Sequence, residues 1–301
     1  MRIIITGASG FIGKNFLLSI PRDWEVIAVY NYNKRFINFL KWNKLNNVKP
    51  VKCDLRNFKE VENLFSKYNN FDVCLYLASN TSIPYSIDNP IDDLETNTLG
   101  LLNFLKFFKG KKFIYVNSAT VYEGNEGEVD VNTNIRPLIP YSISKLGCEN
   151  YIKLYANNFD YVIVRSFGVY GPYESERKIF TRMIKEFSRK KKRFKIYGDG
   201  ENLINCMYIK DFVNGIFKII ESKKVNLTVD FYNGKSYSIN ELVKRVGEIF
   251  DIKVEVIHDC ESKEKNSFYC KSEDIWGIYK FKPRYSLKMG ILKFSEFLKE
   301  K

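Results

Sequence analysis

A glycine-rich turn directly after a short apolar run is the feature that most constrains how this chain can fold. The apolar residues 2–5 lead into the segment TGASGFIG at 6–13. Its glycines have G-x-x-G-x-x-G spacing and are Gly7, Gly10 and Gly13. Glycine permits a tight change of direction and lets other groups approach the backbone closely. The pattern therefore predicts a strand, a turn and a helix that begins near Gly10.

Strand and helix patterns alternate through the first two thirds of the chain. Apolar runs of strand length occur at residues 2–6, 25–30, 48–53, 71–78, 112–118 and 161–167. Helical spacing of apolar residues occurs at 59–67, 92–108 and 141–157. Because parallel neighbours in a sheet need crossover connections, this alternation predicts an α/β fold with a doubly wound, Rossmann-type parallel sheet.

The glycine turn also indicates a ligand. Backbone N–H groups at the beginning of a helix form a site for phosphate, and the helix dipole favours negative charge there. A turn of this kind between a strand and a helix is typical of proteins that hold the pyrophosphate of a dinucleotide. The predicted contacts are Gly7, Gly10, Phe11, Ile12 and Gly13.

The end of the second predicted strand bears on which dinucleotide is bound. A carboxylate there would accept hydrogen bonds from the adenosine ribose of NAD and repel the 2′-phosphate of NADP. This chain instead has Tyr30 and Asn31, and the cations Lys34 and Arg35 follow. The sequence slightly favours NADP over NAD, with Asn31, Lys34 and Arg35 as cofactor residues. NAD stays open, because the two cations could simply be solvated.

The turn after the third predicted strand supplies a further contact. Asp54 and Leu55 follow that strand and are predicted to lie near the adenine amino group. An ordinary aspartate in a turn would explain Asp54 nearly as well.

A tyrosine and a lysine further along the chain predict proton transfer. Tyr141 and Lys145 are four residues apart on a predicted helix and share one of its faces. A phenol with a pKa near ~10 is a poor base at neutral pH, and a neighbouring ammonium lowers that pKa. Ser118 ends a predicted strand, at the sheet edge where ligands of such folds bind. Together with a dinucleotide, these groups predict hydride transfer between a nicotinamide ring and an alcohol or ketone.

The second part of the chain has a less regular pattern. Helices are predicted at 179–188, after Ser238 and after Ser286, since serine is a frequent N-cap. We interpret this part as a smaller α/β substrate lobe at the C-terminal side. The predicted division is a dinucleotide-binding domain at 1–168, with 208–222 packing back on it, and a substrate-binding lobe at 169–301.

Composition narrows the class of protein. The chain has 301 residues, 45% of them hydrophobic, which suits a globular protein with a full core. Its apolar runs are far shorter than the roughly 20 residues of a membrane span. Six cysteines without a C-x-x-C pair and a single histidine argue against a metal site. With no export signal recognised, a cytoplasmic protein that binds neither metal nor membrane is expected.

The net charge of +13 raises the question of a nucleic-acid partner. The densest basic cluster lies at 189–193, with Lys195 just beyond. No zinc-finger, homeodomain or RNA-recognition signature accompanies it. The cluster is interpreted as a solvated loop after a helix that ends near Ser188, and nucleic acid is not expected as a partner. Steering of anionic substrates and weak polyanion binding are the alternatives.

Segments along nearly the whole chain resemble the extended short-chain dehydrogenase/reductase family. Within it, they are similar to the nucleotide-sugar epimerase/dehydratase/reductase group. The segments include TGASGFIG (6–13), YLASNTSIPYSIDNP (76–90), NTLGLLNFL (97–105), VNSATVYEG (116–124), PYSISKLGCE (140–149), VRSFGVYGP (164–172) and YIKDFVNGI (208–216). The resemblance implies that Ser118, Tyr141 and Lys145 form a catalytic triad. It also implies a homodimer through two helices of the first domain.

The resemblance implies further binding residues. Around the cofactor it places Leu77, Ala78, Ser79 and Asn97. Near the sugar it places Ser82 and Thr120, while the second lobe holds the nucleotide.

Three departures from the group's pattern bear on the substrate. Ala119 and Thr120 stand where the group's 4,6-dehydratases carry an Asp-Glu pair, which argues against a dehydratase. Gly168 takes the substrate-site position where many members have an asparagine. Ile204 stands about where an arginine meets the diphosphate. The cations that could replace this arginine are Arg177, Lys178 and Arg284.

Two enzymatic functions remain open at this point. Reduction of a 4-keto nucleotide sugar is slightly favoured, because no carboxylate stands at Tyr30 or Asn31 to hold NAD. The alternative is a nucleotide-sugar 4-epimerase, similar to UDP-galactose 4-epimerase, with tightly bound NAD. A non-catalytic dinucleotide sensor on the same fold is a third, weaker hypothesis.

Overall fold

The computed structural model describes residues 1–259, 268–270 and 274–300, so Cys260 lies outside the described residues. The chain forms two compact units. The first unit comprises 1–124, 135–165 and 217–229, and the second comprises 125–134, 166–216 and 230–301. The predicted division at 168/169, with 208–222 packing back on the first domain, stays a prediction. The two units agree with it at 217–222 and differ from it at 125–134, 166–168, 208–216 and 223–229.

Both units contain β-strands, which are numbered in chain order. The strands are β1 (Arg2–Thr6), β2 (Glu25–Tyr30), β3 (Val48–Lys52), β4 (Phe71–Tyr76), β5 (Gly110–Ser118), β6 (Gly127–Val129), β7 (Asp160–Ser166), β8 (Val169–Tyr170), β9 (Arg193–Tyr197), β10 (Leu203–Asn205), β11 (Met207–Tyr208), β12 (Leu227–Phe231), β13 (Ser236–Ser238), β14 (Glu255–Asp259) and β15 (Phe268–Cys270).

The helices are also numbered in chain order. They are α1 (Phe11–Ser19), α2 (Phe36–Trp42), α3 (Phe58–Lys67), α4 (Ile83–Asp88), α5 (Pro90–Leu94), α6 (Gly100–Phe107), α7 (Pro140–Leu154), α8 (Ile179–Ser188), α9 (Ile209–Glu221), α10 (Ile239–Ile249), α11 (Asp274–Tyr279) and α12 (Leu287–Lys299). A π-helical turn spans Glu95–Leu99, and a 3-10 turn spans Ala119–Tyr122. No helix within these described ranges is long and apolar enough to cross a membrane.

A seven-stranded sheet with the order β12-β7-β5-β4-β1-β2-β3 organises the first unit. Strand β1 pairs in parallel with both β2 and β4, and the same direction continues into β3 and β5. The chain therefore winds outward from β1 in both directions, which confirms the doubly wound, Rossmann-type parallel sheet. In such sheets ligands bind at the carboxyl ends of the strands where the order reverses, here between β1 and β4.

The centre of this sheet is covered on both faces. Ile3, Ile4 and Ile5 of β1 are fully buried, as expected for a parallel strand between helical layers. On one side, the rings of Phe104, Phe108 and Phe113 contact one another edge-on or stacked. Aromatic packing of this kind stabilises the contact between α6 and the sheet.

The second unit is built from short strand pairs and three longer helices. The strand pairs are β10–β13, β8–β11, β9–β14 and β6–β15. Helices α8, α10 and α12 pack against one another. Ser238 and Ser286 cap α10 and α12 through their hydroxyls, as their sequence contexts predicted.

The basic cluster at 189–193 follows α8, which ends at Ser188 as predicted. Side chains of this cluster, and that of Lys195 just beyond it, form contacts within the second unit. Lys190 donates to the Phe250 carbonyl, Arg193 pairs with Glu255, and Lys195 pairs with Asp259. These contacts give the cluster a structural use.

The predicted helix at 92–108 differs from the observed structure. It begins earlier, at Pro90, and the π-helical turn interrupts it. Within that turn, Asn97 and Thr98 point inward and hydrogen-bond to Ser144 of α7. Because π-turns are frequent at functional sites, this irregularity makes the region around Asn97 and Thr98 a candidate part of such a site. Helix α2 was not predicted, although Phe36, Phe39 and Leu40 have helical spacing and are buried.

The end of α9 depends on a lysine from β5, which gives a test of the fold. The Lys112 ammonium donates to the carbonyls of Ile219, Ile220 and Ser222 at 3.1, 2.9 and 2.6 Å. Lys112→Met should lower the free energy of unfolding by about 1–2 kcal/mol in urea titrations, because the helix-terminal carbonyls lose their donor.

Lys111→Met is the matched control. Its side chain is 82% exposed and pairs with Asp72, so we expect a change below about 0.5 kcal/mol. Equal losses in the two variants would contradict the role given to Lys112.

Candidate active site

The glycine turn after β1 brings three stretches of backbone very close together. Gly7 has φ of +63°, and a Cβ there would lie 2.8 Å from the Ala78 nitrogen. A Cβ on Gly13 would lie 2.6 Å from the Gly7 carbonyl oxygen. Helix α1 begins at Phe11 with Gly10 as N-cap and no side-chain cap. The exposed helix N-terminus and the side-chain-free cradle fit a pyrophosphate group.

The residues after β4 form the other side of this cradle. The Thr6 hydroxyl accepts the N–H groups of Leu77 and Ala78, both at 3.1 Å. The Ser79 hydroxyl donates to the Asn80 carbonyl at 2.7 Å. The predicted cofactor residues 77–79 therefore lie beside Gly7, where the strand order reverses.

The predicted adenosine end contains a salt bridge that sequence analysis missed. Arg56 donates to Asp54 and Asp92, with shortest distances of 2.8 and 2.9 Å. The hydrogen bond from the Arg56 guanidinium is the main cause that holds the pKa of Asp54 below its usual value. A hydrogen bond from Asn31 also lowers this pKa. Asp54 is thus already paired with Arg56. The D-x-R spacing of the two residues in the sequence could have indicated this pair.

The other residues predicted at that end are less involved. Lys34 and Arg35 are exposed, and the Arg35 N–H donates to the Asn33 side chain. Leu55 is buried and belongs to the core of the first unit.

Three hydroxyl groups come together at the end of β5. Ser118 is the last residue of that strand, and Tyr141 lies in the first turn of α7. Ser118 lies near the Tyr141 hydroxyl and lowers the pKa of that phenol. The Thr120 hydroxyl donates to Ser118 Oγ at 3.0 Å, and the Thr120 N–H also points to it at 3.2 Å. The structure therefore joins the predicted catalytic Ser118 and Tyr141 with the predicted sugar-site residue Thr120.

Lys145 is buried one helical turn after Tyr141. Its ammonium donates to the Val116 carbonyl at 3.3 Å and lies 4.5 Å from the centroid of the Tyr115 ring. Burial lowers the pKa of Lys145 to about 8. These contacts give the charge a carbonyl and an aromatic face in place of water.

The pKa of Tyr141 corrects an expectation from the sequence. A lowered pKa was expected from the neighbouring ammonium, but burial raises the pKa of Tyr141 to about 12, with the Ser118 hydrogen bond opposing the rise. Desolvation dominates because only 7% of this tyrosine is exposed. The phenol is therefore protonated at neutral pH in this state and can donate a proton.

A buried carboxylate behind α7 organises the loop after β4. Asp93 accepts hydrogen bonds from Asn80 at 2.7 Å, Asn97 at 3.1 Å and Ser144 at 2.6 Å. Asn97 Oδ1 in turn accepts the Asn80 N–H at 2.8 Å. Asn97, predicted beside the cofactor, thus uses its amide to hold this loop. Sequence analysis did not predict a role for Asp93.

Two predicted substrate residues have clear local roles. Ser82 caps α4, accepting the Tyr85 N–H at 3.3 Å. Gly168 lies against β10, where a Cβ would come within 1.9 Å of the Asn205 carbonyl oxygen. Glycine is required at 168 because no side chain fits between these backbones.

The predicted cations of the second unit lie in two places. Arg177 and Lys178 are exposed just before α8. Arg284 instead lines a cavity of about 590 Å³ whose other basic residues are Lys235, Arg245, Lys282 and Lys288. Its aromatic walls are Tyr237, Trp276 and Tyr285, and the acidic residue in the lining is Glu248. Sequence analysis missed this grouping, apart from Arg284.

Lys235 holds a particular position in this cavity. Ile204 of β10 pairs with Tyr237 of β13, and Lys235 lies two residues before Tyr237. Lys235 directly precedes β13, which begins at Ser236, and its carbonyl accepts a hydrogen bond from the Asn205 side chain next to Ile204. A cation therefore stands near the position where the group carries its arginine.

Known proteins share these features over most of the chain. The family model described as "NAD dependent epimerase/dehydratase family" matches residues 3–233. A putative UDP-glucose 4-epimerase of Methanocaldococcus jannaschii is 28% identical over 99% of this chain and 98% of that protein. A dTDP-D-glucose 4,6-dehydratase of Dictyostelium discoideum is 30% identical over 80% of this chain and 60% of that protein.

Solved structures have the same fold. A UDP-glucose 4-epimerase from Thermotoga maritima has a TM-score of 0.88 at 24% identity, covering 100% of this chain and 99% of that one. A UDP-glucuronic acid 4-epimerase from Bacillus cereus, in complex with UDP-glucuronic acid and NAD, has a TM-score of 0.88 at 23% identity with the same coverage. At these identities the likeness shows the fold alone.

The pKa of Lys145, about 8 when folded, predicts a pH-dependent effect on stability. Unfolded lysine has a pKa near ~10.4, so the unfolded chain binds more protons between these values and stability rises with pH across that window. Lys145→Met removes the buried charge. It should raise the free energy of unfolding at pH 7, and by less at pH 9, in urea titrations. Lys59→Met, on an exposed lysine of α3, is the control, and a similar pH trend there would refute the explanation.

Proposed function

Because the chain belongs to the NAD dependent epimerase/dehydratase family, we propose that it is a nucleotide-sugar 4-epimerase that works with bound NAD. The family expected from the sequence is thereby confirmed. The observation that carries the proposal is the cluster of Ser118, Thr120 and Tyr141 hydroxyls beside the buried ammonium of Lys145. The full-length relative described as a putative UDP-glucose 4-epimerase supports this choice.

The chemistry follows from what each side chain can do. Bound NAD supplies a reversible hydride acceptor. As the phenolate, Tyr141 would take the proton of the C4 hydroxyl while hydride leaves C4, and would give that proton back to the C4 oxygen when the hydride returns, with Ser118 holding the oxygen by a hydrogen bond. The ammonium of Lys145 stabilises the phenolate form of Tyr141 that this first step requires. Since the same proton and hydride return to the sugar, epimerisation needs no net oxidant.

The turn after Ser118 argues against elimination. Positions 119 and 120 are alanine and threonine, and the Thr120 hydroxyl is bound to Ser118. A 4,6-dehydratase needs an acid and a base there, which neither residue supplies. We therefore propose that the chain is not a dehydratase, although one relative at 30% identity carries that description.

A 4-keto-sugar reductase remains the second candidate. Exposed Lys34 and Arg35, with no carboxylate at the end of β2, favour a phosphorylated and exchangeable cofactor. The family description names NAD and gives no support to the preference for NADP. NAD is therefore the cofactor in the proposal.

The basic cavity of the second unit suits the nucleotide part of the substrate. Lys235 and Arg284 offer positive charge to a diphosphate, and Tyr237 and Trp276 offer flat apolar surfaces to a base. The Trp276 Nε1 is buried and has no hydrogen-bond partner among the described residues, so a donor is left over. Lys235 takes the place of the arginine missing at Ile204 in this proposal.

A homodimer is proposed through the first unit. Helices α4 and α5 pack against α7, and the apolar side chains of Ile91, Leu94, Ile143 and Leu154 are all more than half exposed. Exposed apolar surface of this kind marks an interaction site. Light scattering on the purified protein should give twice the chain mass of 35.4 kDa.

A direct assay separates the two enzymatic candidates. The purified protein is incubated with UDP- and dTDP-hexoses, and the products are resolved by chromatography. We expect interconversion of 4-epimers with no net absorbance change at 340 nm, and release of NAD when the protein is denatured. Stoichiometric consumption of NADPH with a 4-keto sugar nucleotide would favour the reductase instead.

Tyr141→Phe tests the residue on which the mechanism depends. Turnover should fall by at least about 100-fold because the proton carrier is lost, while NAD is still released on denaturation. Tyr68→Phe, which removes a hydroxyl elsewhere in the first unit, should leave turnover unchanged. Full activity of the Tyr141 variant would refute the proposed mechanism.

Moving a charge within the second unit tests the nucleotide cavity. Lys235→Ala should raise KM for the nucleotide sugar by about 10-fold, the usual worth of one charge-assisted contact, with kcat unchanged. Adding Ile204→Arg in the same chain should restore KM, since Ile204 pairs with Tyr237, another residue that lines this cavity. Lys244→Ala, on an exposed lysine of α10 outside the cavity, is the control. An unchanged KM in Lys235→Ala would exclude this cavity.

A further inference from the structure

The segment after Ser118 is tied to helix α7 by two carboxylates, Glu123 and Glu149. We propose that these ties set the spacing of the Ser118 and Tyr141 hydroxyls, so that Glu123, Glu149 and Tyr122 are positioning residues. The inference rests on the proposed use of Ser118 and Tyr141. It gives a positioning role to residues that contact neither of these hydroxyls.

Glu123 forms the first tie. It follows the 3-10 turn Ala119–Tyr122, and its Oε1 accepts the N–H groups of Leu138 at 2.5 Å and Ile139 at 2.8 Å. The same oxygen accepts the hydroxyl of Ser142 in the first turn of α7. Glu123 therefore caps the helix in which Tyr141 is the second residue. A carboxylate is favoured there both by the helix dipole and by charge-assisted hydrogen bonds.

Arg165 builds the second tie. Its Nε and Nη2 donate to the two carboxylate oxygens of Glu149 at 2.9 and 2.8 Å, and its Nη1 donates to the Tyr122 hydroxyl at 2.5 Å. Only 3% of the Arg165 side chain and none of Glu149 are exposed. The guanidinium also lies over the Tyr122 ring, 5.0 Å from its centroid. One cation thus joins the turn to α7, two helical turns beyond Tyr141.

The strand that carries Ser118 meets the same carboxylate. Asn117, the residue before Ser118, donates to Glu149 Oε1 at 2.5 Å. Strand β5, the 3-10 turn and α7 are therefore all bound to one buried ion pair. Breaking a buried, hydrogen-bonded charge pair is costly, because the remaining charge is left without a partner.

The two ties act on neighbouring residues of the turn and on separate points of the helix. Tyr122 and Glu123 fix the turn, while Glu149 and the helix N-terminus fix α7. Moving the turn away from α7 breaks at least one of these bonds. Since a displacement of ~1 Å at reacting groups can cost about 100-fold in rate, this rigidity is a catalytic requirement.

Two mild substitutions test the proposal without emptying the core. Tyr122→Phe removes only the hydroxyl that accepts from Arg165 and keeps the ring in place. Glu123→Ala removes the cap, and Glu123→Gln restores a neutral acceptor. We expect kcat to fall by about 10-fold or more in Tyr122→Phe and Glu123→Ala. KM should stay within about twofold, the pH profile of kcat should shift, and Glu123→Gln should recover part of the activity.

The controls separate positioning from folding and from the mechanism itself. Tyr68→Phe and Glu126→Ala, on an exposed glutamate three residues beyond Glu123, should keep both kcat and the pH profile. Unchanged kcat and pH profile in Tyr122→Phe and Glu123→Ala, with Tyr141→Phe inactive, would overturn the positioning proposal alone. So would losses that match the unfolded fraction measured by circular dichroism. Full activity of Tyr141→Phe would instead overturn the proposed function.

Discussion

The burial of one ammonium group governs the interior of the first unit. Lys145 is 2% exposed, and moving a charge out of water is costly unless it finds partners. The chain offers the Val116 carbonyl and the Tyr115 ring at the charge itself. The carboxylates of Asp93 and Glu149 add favourable charge from behind the helix. These acids are buried as well, so each needs hydrogen-bond donors of its own, and the polar network spreads outward from one lysine.

This spreading network connects the fold with the candidate chemistry. Asp93 draws in the π-turn through Asn97, and Glu149 draws in the neighbouring strand β7 through Arg165. The π-helical turn and strand β7 are therefore hydrogen-bonded, through Asp93 and Glu149, to the network around α7, the helix that carries Tyr141. Apolar residues in these places would give a simpler core, since buried ion pairs seldom add stability compared with well-packed apolar side chains. A polar interior of this kind exchanges some stability for a reactive group that is fixed in position and shielded from water.

Local spacing explains which parts were predictable from the sequence. Gly7 to Gly13 and the pair Tyr141–Lys145 lie within one turn or helix, so their geometry follows from the chain alone. The pair Arg165–Glu149 and the contact of Asp93 with Ser144 join residues 16 and 51 positions apart. Only the strand order brings them together. The raised pKa of Tyr141 was missed for the same reason, because burial is a property of the packed whole.

The close approach at Gly168 has a consequence for how this chain can diversify. Its neighbouring strand runs so near that an asparagine at 168 has no room, since a Cβ would meet the Asn205 carbonyl at 1.9 Å. Replacement of Gly168 by asparagine therefore requires a compensating shift of β10. The absent side chain at 168 thereby sets how closely β10 can approach this segment.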